Sequence, residues 1–162
     1  MADADVLFTA HREGIFRYLC RIVGSEDARE LTQEVFLRVT RTTVPETDEG
    51  GRRAWLFRIA RNLALNHVRD DRRRGETVER AADPALPPTQ TLALALREAL
   101  DRLSPVDRDV FLMRELGGLS YDEISFACQL TGDAVRSRLH RVRQQLRETL
   151  ANVEEYRNRS WR

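Results

Sequence analysis

The residues with the most evident chemistry lie in LSYDEISFACQLTGDAVRSRLHRVRQQL, residues 119–146. At helical spacing, the end of this stretch places apolar side chains on one stripe, which predicts a buried face: Val135, Leu139, Val142 and Leu146. The outer side carries guanidinium, hydroxyl, imidazole and amide groups: Arg136, Ser137, His140, Arg141 and Gln144. Such groups contact phosphates and base edges in the major groove of DNA. We call these five residues the recognition face.

The residues before the recognition face predict a short helix and a turn. Ser120 and Glu123 are spaced as a capping box, which marks a helix start, and QLTGD is typical of a turn. Two helices joined by a short turn, the second basic outside and apolar inside, match the helix-turn-helix pattern. The stretch is therefore predicted to bind DNA. The alternative is a helical hairpin whose charged face is only solvated.

A second basic block occupies residues 52–74, RRAWLFRIARNLALNHVRDDRRR, with eight arginines against Asp70 and Asp71. A helix here has an apolar side, which consists of Leu56, Ile59, Ala60 and Leu63. Another side offers charge to phosphates and amide groups to a base edge: Arg58, Arg61, Asn62, Asn66 and Arg69. We call this set the basic stripe. Trp55 and Phe57 could stack on unpaired bases, but large aromatic residues at helical spacing favour core packing.

Composition narrows the class of protein. The 162 residues carry 27 basic and 26 acidic side chains, so DNA binding depends on the two local basic blocks rather than on net charge. No pair of carboxylates, nucleophile with a base, glycine-rich phosphate loop or metal cluster indicates an enzyme, a cofactor or a metal site. Cys20 and Cys128 form no metal-ligand spacing with the three histidines and are predicted to be buried thiols. No apolar stretch approaches membrane-spanning length, so a cytoplasmic protein without membrane insertion is predicted.

Apolar residues recur at every third and fourth position, and strand signals are nearly missing, which predicts an all-α fold. The first three helices are predicted at 6–23, at 26–41 with Ser25 as the cap, and at 52–74 after a loop. Four more helices follow GETVERAADPALPPTQ, a stretch with three prolines and no apolar periodicity. We therefore expect two small helical domains, residues 1–74 and 91–152. A flexible linker, 75–90, joins them, and a polar tail, 153–162, follows.

Four stretches in this order carry a family resemblance: EDARELTQEVFLRV, RAWLFRIARNLALNHVR, the proline-containing linker, and LSPVDRDVFLMRELGGLSYDEI leading into VRSRLHRVR. On these residues the chain resembles bacterial sigma factors of the extracytoplasmic-function (ECF) type. The resemblance implies that 1–74 is sigma region 2 and that 91–152 is sigma region 4. It also implies an alternative sigma factor, which binds core RNA polymerase, recognises the minus-ten and minus-thirty-five promoter elements and directs transcription initiation.

The same resemblance assigns roles to particular residues. The second helix would dock on core polymerase through a polar face, which consists of Glu30, Gln33, Glu34 and Arg38. The basic stripe would contact the minus-ten element, where Asn62 and the segment Thr47 to Arg53 would hold a flipped base. The recognition face would read the minus-thirty-five element in the major groove. An anti-sigma factor that covers these faces is a further implied partner.

The chain departs from the family pattern at two positions. Asn66 stands where the family usually has Asp, and Gln129 stands where it usually has Gly in the turn. Both departures bear on promoter preference more than on class. Two alternatives stay open: an autonomous helix-turn-helix transcription regulator, which would bind an operator tightly by itself, and a helical interaction module that binds no DNA.

Overall fold

A computed structural model describes the backbone of residues 2–75 and 90–159, and the side chains of residues 4–75 and 92–152. The predicted linker 75–90 lies outside these ranges except for its two end residues. The described residues form seven helices and no strand, which confirms the all-α prediction: α1 Ala2–Val23, α2 Ser25–Arg41, α3 Glu49–Arg74, α4 Gln90–Asp101, α5 Pro105–Glu115, α6 Tyr121–Cys128 and α7 Gly132–Arg159. None of the helices in these ranges is long and apolar enough to cross a membrane.

Helices α1 to α3 make up the first half of the chain. Apolar residues at helical spacing line the inner side of α1 and are buried: Leu7, Ile15, Leu19 and Ile22. In α2, Ala28, Val35 and Val39 are buried, Leu31 is only partly buried, and Phe36 takes the adjoining core position. The prediction that Ser25 caps α2 is wrong. The cap residue is Gly24, whose φ of 88° suits glycine and lets α1 end and α2 begin at adjacent residues.

Helix α3 begins at Glu49, three residues before the predicted start. The helix starts earlier because Asp48 caps it: the Asp48 carboxylate accepts a hydrogen bond from the amide of Gly51 at 2.7 Å. The two glycines had instead predicted a loop at these positions. Gly50 and Gly51 therefore lie in the first turn of α3 rather than in a loop. Further along, Phe57 is 1% exposed, which confirms its predicted core position, while Trp55 is partly buried.

Helices α4 to α7 make up the second half. The Ser104 hydroxyl accepts from the Asp107 amide at 3.2 Å to start α5, and the predicted capping box of Ser120 and Glu123 starts α6. Gln129, at the end of α6, has a φ of 57° and is the one non-glycine residue with positive φ in the described ranges. The turn therefore does require the conformation that glycine adopts most easily. Helix α7 runs to Arg159, into the segment predicted as a polar tail.

The two halves pack against each other, with α3 lying on α6 and on the connection from α5. Phe57 of α3 and Tyr18 of α1 meet there edge to face, with ring centroids 5.6 Å apart. Gly117 permits this approach, because a Cβ atom there would lie 2.7 Å from the Phe57 ring and 2.8 Å from the Met113 carbonyl. We call this arrangement the closed conformation.

Candidate nucleic-acid interface

All five residues of the recognition face lie on the solvent side of α7. Their orientation follows from the opposite stripe of that helix, where Val135 and Val142 have no exposed surface and Leu139 is 1% exposed. Arg136 donates to the Asp133 carboxylate at 2.8 Å within the same helix, and both side chains remain in solvent. The structure thus brings the five predicted side chains together on one accessible basic surface.

Asp107 of α5 lies beneath α7 and pairs with two of its arginines. Its carboxylate accepts from Arg138 at 2.7 Å and from Arg141 at 3.3 Å. Burial raises the pKa of Asp107, but hydrogen bonds from Arg138 and Ser104 and the charge of Arg141 outweigh burial, so the pKa lies below its ordinary value. Asp107 carries no local sequence signal for this role beyond its position in the first turn of a helix.

The lowered pKa of Asp107 predicts a pH-dependent contribution to stability. A carboxyl group whose pKa is lower in the folded state stabilises the fold above its unfolded pKa, and this stabilisation is lost as the pH falls through the folded pKa. We expect Asp107→Asn to lower the free energy of unfolding by about 1–2 kcal/mol at neutral pH, since Arg141 is half in solvent. The difference in unfolding free energy between Asp107→Asn and the unaltered chain should shrink as the pH falls below the range in which carboxyl groups ordinarily titrate.

Urea denaturation between pH 7 and pH 3 measures this difference. Asp133→Asn is the matched control, because Asp133 also pairs with an arginine but is 93% exposed. An Asp107→Asn effect that stayed constant down to pH 3 would count against an ionised Asp107 in this network.

The basic stripe is divided by the closed conformation. Asn62, Asn66 and Arg69 are exposed on α3. Arg58 lies over the ring of Phe126 in α6, with its guanidinium carbon 5.2 Å from the ring centroid. The Arg61 side chain is 14% exposed, and its Nε donates to Asp109 Oδ2 at 2.8 Å. The two arginines at the start of the stripe are therefore covered by the second half.

Arg61, Asp109 and Tyr18 form a buried polar network between the halves. The Tyr18 hydroxyl donates to Asp109 Oδ1 at 3.2 Å, and Asp109 is 3% exposed. Burial lowers the pKa of Arg61, but the charge and hydrogen bond of Asp109 more than offset this and hold it above its ordinary value. Burial raises the pKa of Asp109, and Arg61 and Tyr18 oppose that rise. The network therefore keeps Arg61 charged inside the interface.

The segment expected to hold a flipped base faces the second half without being buried: Thr47 is exposed, and Gly51 and Arg53 are partly buried. A cavity of about 470 Å³ lies between Thr47, Gly51 and Trp55 of the first half and Asp122 and Phe126 of α6. Arg53 pairs with Glu123, which lines this cavity, because its Nη2 lies 2.8 Å from both carboxylate oxygens of Glu123. Glu123 is also the capping-box residue of α6, so one side chain starts this helix and fastens it to the first half.

The predicted polymerase-docking residues lie on the outer face of α2. Glu30, Gln33 and Arg38 are exposed and Glu34 is partly exposed. Arg38 Nε donates to Glu34 Oε1 at 2.9 Å, one helical turn apart. Leu37 lies beside them and is 47% exposed, although other apolar residues of α2 are buried in the core. This surface therefore combines charged groups with exposed apolar area, as protein interfaces do.

Both cysteines are buried thiols without a disulfide, as predicted. Burial raises the pKa of Cys128 to about 12, and its sulfur lies 3.6 Å from that of Met113. A thiol in this environment packs as a small apolar group and is a poor nucleophile at neutral pH.

The fold and these surfaces define a class: a two-part helical protein with a helix-turn-helix in its second half and a basic helix in its first. Family models agree with this division. Residues 7–74 match Sigma-70 region 2, and residues 93–146 match Sigma-70 region 4. The chain belongs to the sigma-70 family and, within it, to the ECF sigma factors, which confirms the resemblance found in the sequence. The members of this family are transcription initiation factors rather than enzymes.

Two relatives illustrate the relationship. The chain is 39% identical to the ECF RNA polymerase sigma factor SigE of Mycolicibacterium smegmatis, over 93% of this chain and 63% of that protein. It is 30% identical to the probable ECF RNA polymerase sigma factor SigI of Mycobacterium tuberculosis, over 86% of this chain and 53% of that protein. The chain thus spans less than two thirds of the length of each relative.

Two solved structures share the fold. The sigma factor RpoE from Bartonella quintana, in complex with the anti-sigma factor NepR, matches with a TM-score of 0.76 and 22% identity, over 93% of this chain and 98% of that one. CnrH, in complex with the cytosolic domain of CnrY, matches with a TM-score of 0.70 and 21% identity, over 92% and 88% of the two chains. The arrangement of helices described above is therefore one that the sigma factor RpoE also adopts.

Proposed function

We propose that this chain is an alternative sigma factor, which binds core RNA polymerase, recognises the minus-ten and minus-thirty-five promoter elements and directs transcription initiation. The observation that carries the proposal is the recognition face, an accessible row of polar and basic side chains on the second helix of a helix-turn-helix. In this proposal residues 1–74 act as region 2 and residues 91–152 act as region 4, joined by the linker 75–90. The absence of catalytic activity and a cytoplasmic location belong to the same proposal.

Simultaneous binding of both promoter elements requires the closed conformation to open. The two elements are about 25 base pairs apart, which is about 85 Å along B-form DNA. In the closed conformation Arg58 lies against Phe126 of α6 and Arg61 pairs with Asp109 of α5, so the basic stripe and α7 belong to one compact unit. The linker 75–90 spans at most about 55 Å when extended, and α3 and α7 add about 40 Å each. The opened chain can therefore reach both elements.

The proposed division of labour follows from accessibility in the closed conformation. The recognition face and the outer face of α2 are open to partners, whereas part of the basic stripe is covered and the cavity beside Trp55 is walled on one side by α6. Core polymerase would therefore bind before the minus-ten contacts form. An anti-sigma factor is also proposed as a partner, since RpoE from Bartonella quintana was solved with the anti-sigma factor NepR.

Gel filtration of the purified chain with bacterial core RNA polymerase tests the proposal, followed by transcription of genomic DNA by the complex. We expect a one-to-one complex that starts transcripts at discrete sites, and those sites would also yield the promoter motif. If no complex formed and the chain alone bound specific DNA tightly, the autonomous regulator would be the better description.

The outer face of α2 yields a separate prediction. Glu34→Ala and Arg38→Ala should each weaken association with core polymerase by about fivefold, or about 1 kcal/mol, the size expected of an interface residue outside a hot spot. The free energy of unfolding should change by less than about 0.5 kcal/mol, because the pair is exposed on one helix. Binding of labelled variants to core polymerase measures the first quantity and urea denaturation the second.

Glu46→Ala is the control for this pair, since Glu46 is an exposed acidic residue in the connection between α2 and α3. It should bind core polymerase as the unaltered chain does. Equal affinity of all three variants would show that polymerase docks elsewhere.

A further inference from the structure

Three side chains of the first half converge where the start of α2 meets the end of α3. His67 Nε2 lies 3.1 Å from Asp27 Oδ2 and 3.1 Å from Asp71 Oδ2. The three donor atoms all lie within 4.8 Å of one another. His67 and Asp71 are one turn apart on α3, and Asp27 comes from the first turn of α2. The recognition face, the basic stripe and the outer face of α2 include none of these three residues.

The distances fit a shared metal ion. Zn²⁺ lies about 2.0–2.1 Å from imidazole nitrogen and carboxylate oxygen, so two of its ligands stand about 3.1–3.4 Å apart when the angle at the ion is about 100–110°. The two separations of 3.1 Å from His67 Nε2 fall at this value. The third separation, between the oxygens of Asp27 and Asp71, is within 4.8 Å.

The lack of a hydrogen bond at the imidazole also supports an ion at this position. His67 Nε2 is buried, yet it has no hydrogen-bond partner, although two carboxylate oxygens are at hydrogen-bonding distance. An oxygen that accepts a hydrogen bond lies near the N–H axis. Neither carboxylate oxygen meets this geometry, so both lie away from the axis although they are close to the nitrogen.

The hydrogen bond that Asp71 makes outside the cluster leaves its second carboxylate oxygen available to an ion. Asp71 Oδ1 accepts from Arg74 Nη2 at 2.6 Å, so Oδ2 is the oxygen that faces His67. The Asp71 side chain is 7% exposed, whereas that of Asp27 is 41% exposed. Hydrogen bonds of this kind orient metal ligands in proteins. The open side next to Asp27 leaves room for water to complete the coordination of an ion.

We propose that His67, Asp27 and Asp71 bind a divalent transition-metal cation, for which Zn²⁺ is the natural probe. Two carboxylates supply the negative charge, and the neutral imidazole supplies a nitrogen ligand. One nitrogen and two oxygens suit Zn²⁺ and its neighbours, whereas Mg²⁺ and Ca²⁺ prefer six or more oxygen ligands. The bound ion ties the start of α2 to the end of α3, beside the exposed arginines Arg72 and Arg73.

Titration calorimetry on the full, tag-free and chelator-treated chain tests the site, with Zn²⁺ added in the presence of excess Mg²⁺. We expect one equivalent of Zn²⁺ to bind and to raise the melting temperature. Asp27→Asn and His67→Gln should each weaken binding about tenfold or more and abolish the rise in melting temperature. Co²⁺ should bind competitively with Zn²⁺ and show the intense visible absorption of a site with fewer than six ligands.

Two matched variants control for non-specific binding. Asp70→Asn removes a neighbouring carboxylate that is 61% exposed, and His140→Gln removes an exposed imidazole of the second half. Both should bind Zn²⁺ as the unaltered chain does. The Asp27 side chain is 41% exposed, so Asp27→Asn keeps the test valid even if a change at buried Asp71 disturbs folding. Unchanged Zn²⁺ affinity in Asp27→Asn and His67→Gln, or a Co²⁺ spectrum that stays that of the free ion, would overturn the proposal.

Discussion

Asp109→Ala should separate the two halves of the chain while leaving each half helical. The change leaves the Arg61 guanidinium, 14% exposed, without its carboxylate partner and removes the acceptor of the Tyr18 hydroxyl. Removing one partner of a buried ion pair costs about 3–5 kcal/mol, because the remaining charge is still out of water. The opened chain does not bear this cost, since Arg61 is then hydrated. The ratio of closed to open molecules should fall by a factor of about one hundred or more.

Small-angle X-ray scattering measures the separation as an increase in radius of gyration, and far-UV circular dichroism checks that helix content is kept. Asp133→Ala is the control, because it removes the same charge from a side chain that is 93% exposed. The double variant Arg61→Ala with Asp109→Ala should recover part of the closed population, since no buried charge is left unpaired. A compact Asp109→Ala chain, indistinguishable from the control, would show that apolar packing around Phe57 holds the halves together without the network.

Arg141→Ala should reduce initiation from a promoter with an intact minus-thirty-five element by about 10- to 100-fold, while leaving polymerase binding unchanged. Arg141 is 55% exposed on the recognition face, where a guanidinium can donate to a guanine or to a phosphate. A good side-chain contact to a base contributes about 1–3 kcal/mol of discrimination, which sets the expected size of the loss. Loss of one arginine should not affect docking through α2, because the two surfaces lie in different halves.

Transcription assays on two promoters distinguish base reading from general attraction to DNA. The unaltered chain should prefer the intact promoter to one with an altered minus-thirty-five element, and Arg141→Ala should lose most of this preference. Arg147→Ala is the control, since Arg147 is exposed on the same helix but is not part of the recognition face. Equal activity of Arg141→Ala and the unaltered chain on the intact promoter would remove Arg141 from the contact set.

Asp109→Ala and Arg141→Ala affect surfaces that differ in accessibility in the closed conformation. Asp109→Ala acts on the covered part of the basic stripe, so it should favour minus-ten contacts, while Arg141→Ala acts on a surface that is accessible in either conformation. The two effects should therefore combine additively in initiation assays if the halves act as separate binding units.

The sequence by itself determined the helices, their inward stripes and the recognition face. Val135 and Leu139 face inward because apolar residues four positions apart share one side of a helix, and Arg136 and Arg141 are then directed outward. The capping box of Ser120 and Glu123 was readable for the same reason: both residues belong to one turn. Two helix starts were exceptions. Gly24 rather than Ser25 caps α2, and α3 begins before Gly50 and Gly51, which had predicted a loop.

Only the tertiary structure decided how the two halves meet and which polar groups they share. Arg61 and Asp109 are 48 positions apart, and Arg53 and Glu123 are 70 apart, in different halves of the chain. The same holds within the first half, where His67 meets Asp27 only because α2 and α3 pack side by side. Helical periodicity specifies which side of each helix is buried, but the pairing of charges across a packed interface depends on the relative placement of helices, which no local pattern encodes.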